Sequence, residues 1–97
     1  MGRQRIEHLA RDMKIAWCRT GQPAVRMRGH VRLELSSPKA FWWRLVLSRR
    51  GTMVPHDEDI EEVIRGFKIP EDAKRESTIF GELVFDWNGL EERHERA

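Results

Sequence analysis

The chain contains a single cysteine, Cys18. One thiol excludes an internal disulfide and cannot by itself furnish a structural zinc site, so the expected setting is reducing and the expected role of Cys18 is that of a small apolar side chain. Long hydrophobic runs are also missing. The apolar stretch Ala40–Trp43 stops at Arg44, far short of the roughly 20 residues that span a bilayer. The charged start, Met1-Gly2-Arg3-Gln4-Arg5, is not followed by an apolar leader core, and position 6 is Ile rather than the Ser or Thr of a myristoylation signal. A cytoplasmic protein without membrane attachment is therefore expected.

Catalytic signatures are absent too. The sequence has no Walker loop, dinucleotide glycine fingerprint, nucleophile elbow or paired zinc-protease histidines. Asp72-Ala73-Lys74 matches the end of an acidic-x-Lys nuclease pattern, but it falls in a predicted turn with no upstream strand carboxylate to complete it. His8, His30, His56 and His94 are scattered. Only His56-Asp57-Glu58-Asp59 has the density of a metal site, and its place at a predicted helix start makes the carboxylates caps for free N–H groups instead. No metal, no cofactor and no catalytic centre are predicted from these motifs.

Charge is present in abundance, and unevenly. Residues 1–50 hold twelve Lys/Arg against three Asp/Glu, while residues 51–97 hold six against thirteen. The net charge of +2 thus conceals a basic first half and an acidic second half. Arg outnumbers Lys fourteen to four, which suits bidentate contact with phosphate or carboxylate.

Periodicity supplies the architecture, and the 97 residues suit one domain. Ile6, Leu9, Ala10, Met13 and Trp17 recur at helical spacing, predicting a helix over 4–17 that stops at Thr20-Gly21-Gln22-Pro23. From Ala24 to Leu35 the period is two, and it resumes from Phe41 to Ser48, predicting a β-hairpin over 24–48 with a turn at Ser36–Ala40. Pairing Leu35 with Phe41, Leu33 with Trp43 and Val31 with Leu45 keeps the apolar sets together. Thr52-Met53-Val54 is read as a short extra strand. A second helix is predicted over 57–67 from Ile60, Val63, Ile64 and Phe67, a strand over 78–87 with Ile79, Leu83, Phe85 and Trp87 inward, and a charged tail over 90–97. The expected fold is α+β: two layers, a mostly antiparallel sheet of three to four strands, and both helices on one face.

That layering leaves one sheet face open. In the predicted register it carries Arg26, Arg28, Arg32, Arg44 and Arg50 around Trp42, with Phe80 contributed by the last strand. Guanidinium groups that meet phosphates and rings that stack on bases make such a face a candidate for single-stranded RNA or DNA. The same residues suit a protein partner, or a second copy whose acidic helix, Asp57 to Glu62, meets the arginine face.

Two resemblances bear on function. Leu45-Val46-Leu47-Ser48, Pro55, Asp59-Ile60, Arg65, Phe67 and Pro70-Glu71-Asp72 resemble a family of small phage and prophage proteins of unknown function, with a strand ending in Ser, a Pro-led helix with an acidic-Ile start, and an exit in which an aromatic residue precedes Pro-x-Asp. The likeness covers residues 45–72 and implies a mobile-element origin, with no assigned active site. Gly29-His30 on a basic strand and Val54-Pro55 before a helix resemble HicA-type toxins, small RNA-cleaving proteins. The Ser between Gly and His is missing and a strand is added after the helix. That likeness implies His30 as general acid or base, with Arg28 and Arg32 holding the scissile phosphate. The leading expectation is a non-catalytic binding protein of phage or mobile-element origin that acts on a host protein or nucleoprotein through the arginine and aromatic face. Single-strand nucleic-acid binding is the alternative, and HicA-like RNA cleavage a second one.

Overall fold

The computed structural model describes residues 5–51 and 54–89. The elements run α1 (Ile6–Thr20), β1 (Ala24–Arg28), β2 (Val31–Ser36), β3 (Trp42–Arg49), α2 (Asp57–Phe67), β4 (Lys74–Ser77) and β5 (Leu83–Asn88). The strands form one antiparallel sheet in the order β1-β2-β3-β5-β4. Trp43 and Arg49 share one face of β3; Trp43 meets Trp17 of α1 and Arg49 meets Asp59 of α2. Both helices therefore cover the same side of the sheet, which is an α+β fold.

α1 ends where Gly21 adopts φ 68° and donates its N–H to the Trp17 carbonyl, a left-handed cap that an L side chain resists. Its first turn has no side-chain cap of its own, and the Glu7 N–H is instead accepted by Glu62 of α2 at 3.4 Å. The helices run in the same sense, with Glu7 beside Glu62 and Arg65, Ala10 beside Gly66, and Lys14 Nζ donating to the Phe67 carbonyl at 3.0 Å. They approach so closely at Gly66 that a Cβ there would lie 2.6 Å from both the Ala10 Cβ and the Glu7 carbonyl oxygen. Between helices and sheet, Leu33, Leu35, Leu45, Leu47, Val63 and Phe67 are fully enclosed. At one end of this core Trp17, Trp43 and Trp87 stack as a tilted ladder with centroids 6.0 and 5.8 Å apart.

The sheet has five strands where three to four were expected, and further expectations change with it. The single strand expected from Ala24 to Leu35 divides at Gly29-His30, where Gly29 alone of the two takes positive φ (61°), as in the type II′ turn of a two-residue hairpin. Arg28 then faces Val31, so the alternation flips parity across the turn. The β2–β3 register is Leu35↔Leu45, Leu33↔Leu47 and Val31↔Arg49, four residues beyond the expected one. An even slip preserves the faces, so alternation alone does not distinguish the two registers. The extra length is absorbed by the connection, where Ser37 Oγ donates toward the carbonyls of Lys39 and Trp42 and Phe41 takes φ 66°.

The strand expected over 78–87 is instead a hairpin of β4 and β5, because the polar Lys74–Ser77 segment pairs with β5 although none of its residues is buried. Ile79 lies in its turn and points outward rather than inward. Val54 has no regular structure; Thr52, Met53 and the tail 90–97 lie outside the described residues.

Candidate binding surfaces

The register fixes which side chains share the sheet face that the two described helices leave open. β1 contributes Val25 and Met27; β2 contributes Arg32, Glu34 and Ser36; β3 contributes Trp42, Arg44, Val46 and Ser48; β5 contributes Val84, Asp86 and Asn88; β4 contributes Lys74 and Glu76. Of the predicted site residues, the structure brings Arg32, Trp42 and Arg44 together here. Arg26 and Arg28 are not among them, because the parity flip at Gly29 puts both on the helix side of the edge strand β1 and turns Val25 and Met27 to the open face instead. Arg50 lies beyond the end of β3, where its N–H is accepted by the His30 carbonyl at 2.8 Å.

The strand residues of the open face are electrically balanced. Its strands present three basic groups, Arg32, Arg44 and Lys74, and three acidic ones, Glu34, Asp86 and Glu76. Arg44 grips its cross-strand neighbour Asp86 with Nε to Oδ1 at 2.8 Å and Nη2 to Oδ2 at 3.2 Å. This fork-to-fork hydrogen bonding raises the Arg44 pKa above its usual value. Arg32 pairs with Glu34 at 2.9 Å, and Lys74 with Glu76 at 3.0 Å, a contact that likewise raises the lysine pKa. The Trp42 ring carries the Lys39 ammonium 4.7 Å from its centroid, a cation–π contact on the surface expected to stack bases. An apolar band of Val25, Val46 and Val84 crosses the sheet through Glu34, from edge strand β1 to β5. With strands about 4.8 Å apart, that row is roughly 15 Å long.

His30 occupies the β1–β2 turn and is exposed. Arg28 and Arg32 lie on opposite faces of the sheet, so they do not bracket His30 as the toxin resemblance implies. The carboxylate of Asp59 is a cap: Oδ2 accepts the His56 N–H at 3.3 Å and Arg49 Nη1 at 2.7 Å. Among the described residues no cluster of three or more His, Cys, Asp or Glu is placed to hold a metal, and no helix is long and apolar enough to cross a membrane.

No family model, curated protein or solved structure matches the chain.

Sequence reasoning missed one surface. The β4–β5 turn presents Ile79 and Phe80 to solvent at 95% and 73% exposure, with Val54 nearby in the fold at 63%. Phe80 stands at the end of β5 opposite to the one that pairs with Trp42, so the two rings do not share a platform. The signal was Thr78 followed by Gly81, a turn frame around two large apolar residues. A further cleft of about 640 Å³ opens at the other end of the core between the end of α1 and the β2–β3 loop, lined by Trp17, Cys18, Phe41 and Trp43.

Proposed function

We propose that the protein is a non-catalytic binding protein that docks a partner protein on the open face of its sheet. The observation that carries this reading is the Arg44–Asp86 fork in the middle of that face. Arginines already paired with carboxylates offer phosphates little net charge, whereas valines interspersed with ion pairs, as in the row Val25, Glu34, Val46 and Val84, have the make-up of a protein interface. The resemblance of residues 45–72 to phage proteins supports a host protein as that partner. A photo-crosslinking side chain at Val46 tests it, with the same group at Ile15 on the exposed side of α1 as control. One discrete crosslinked protein from position 46 alone is expected; equal labelling from both positions removes the reading.

A second reading keeps single-stranded nucleic acid but moves it to a corner of the sheet. The bond from the Arg50 N–H to the His30 carbonyl draws that arginine to the β1–β2 turn, beside the strand that carries Arg26 and Arg28. Anisotropy titrations with single-stranded RNA and DNA at two salt concentrations check it. Affinity that collapses with salt and with Arg26→Ala plus Arg50→Ala favours this corner; binding unaffected by both substitutions excludes it.

A further inference from the structure

We infer that the β4–β5 turn is a self-association device: Ile79 and Phe80 of each copy insert beside the same turn of a second copy, forming a two-fold dimer. The inference is independent of the open face and stands or falls without it.

The exposure of the two side chains is not a by-product of a loose loop. Thr78 locks the turn: its N–H is accepted by the Glu82 carbonyl at 2.9 Å, its carbonyl accepts the Gly81 N–H at 3.1 Å, and its Oγ1 accepts the N–H groups of Phe80 and Glu82 at 3.2 Å each. Gly81 supplies the φ of 83° that closes the turn. A turn held in this way loses little backbone freedom when its tip is buried, so only the rotamers of Ile79 and Phe80, the knob, remain to be ordered.

A hole lies beside the knob. Val54, Pro55, Ile60 and Leu83 line a groove of about 450 Å³ whose wall is completed by Thr78 and Gly81 of the turn itself. Knob and hole thus belong to one patch, the condition for a self-complementary two-fold contact in which each copy gives and receives. Area also favours reciprocity. A ring of Phe80's size carries about 150–250 Å², so one tip with Ile79 offers on the order of 300 Å² and its receiving groove loses a similar amount. One insertion stays well below the ~1,200 Å² of a specific interface, while two reciprocal insertions reach it. Arg75 and Glu76 on the groove wall and Glu82 at the base of the turn put both signs of charge at the rim, so a two-fold contact can set Arg75 of each copy against a carboxylate of the other.

Sedimentation equilibrium over a concentration series tests the inference, using the full chain and two variants, Ile79→Ser with Phe80→Ser for the knob and Val54→Glu for the hole. All three positions are exposed, so circular dichroism and the thermal midpoint are expected to be unchanged. The wild type is expected to dimerise at micromolar concentration, with each variant raising the dissociation constant at least roughly tenfold. A wild type that stays monomeric into the high micromolar range overturns the inference, as does a dimer that survives either variant.

Discussion

Arg49 of β3 donates from Nη1 to Oδ2 of Asp59 at 2.7 Å, tying the first turn of α2 to the end of the central strand. Both side chains are largely enclosed, at 17% and 10% exposure, and the same carboxylate oxygen accepts the His56 N–H. Removing the acid strands a guanidinium and uncaps the helix together. Asp59→Ala is expected to cost about 2–4 kcal/mol, below the full value for a buried pair because the arginine keeps some water. Urea unfolding of Asp59→Ala, Arg49→Met and the double variant measures this; the double variant is expected to be more stable than the sum of the singles implies.

The helix crossing makes a second expectation. Alanine is the better helix former by about 1 kcal/mol, yet at position 66 its Cβ would meet Ala10 and the backbone of Glu7 at 2.6 Å. Backbone cannot yield as a flexible side chain does. Gly66→Ala is therefore expected to destabilise by about 1–3 kcal/mol net, read as a lower urea midpoint with an unchanged slope.

A third concerns acid. Glu7 accepts from Arg65 Nε at 3.0 Å and from Arg11 Nη2 at 3.1 Å, and the Arg65 hydrogen bond holds its carboxyl below the ordinary glutamate value. A lowered folded-state pKa stabilises above the unfolded carboxyl range, and the benefit is lost as pH falls through the lowered value. The thermal midpoint of the wild type is expected to exceed that of Glu7→Gln at neutral pH, and the gap to close on acidification. Added salt is expected to narrow it, since the arginines are exposed.

The β1–β2 turn gives a fourth. Gly29 holds φ 61° with open space around its Cα, so a methyl group there meets a conformational penalty and no clash. Gly29→Ala is expected to cost about 1–3 kcal/mol, and a D-alanine at the same site, introduced by synthesis, to recover it. Equal losses from both would contradict the turn assignment.

The helices were legible in the sequence because their apolar stripes, Ile6 to Trp17 and Ile60 to Phe67, repeat with a period that only a helix matches. The core faces of β2, β3 and β5 were legible for the corresponding reason, except that Phe41, read with Trp43, Leu45 and Leu47, lies in the loop before β3 and is exposed. The arginine face was not, and the cause is specific: a two-residue turn leaves the written alternation of Val25, Met27, Val31 and Leu33 intact on the page while reversing which members face the helices. Gly29 inside that pattern was the one local sign of a break. Register escaped for a related reason, since an even slip is invisible to alternation. Ile79 escaped because an apolar residue in an alternating run looks like core until the turn around it is known, and Phe80, read as exposed, was assigned to the open face of a strand rather than to that turn.

The strand order has a consequence for synthesis. β5 is last of the described elements yet sits between β3 and β4, where Leu83, Phe85 and Trp87 close the core against Leu47, Leu45 and Trp43. A nascent chain that has emerged only as far as α2 presents β3 as a raw edge, with its leucines half covered. The domain is expected to stay open, and in need of protection from aggregation, until the segment through Asn88 has cleared the ribosome.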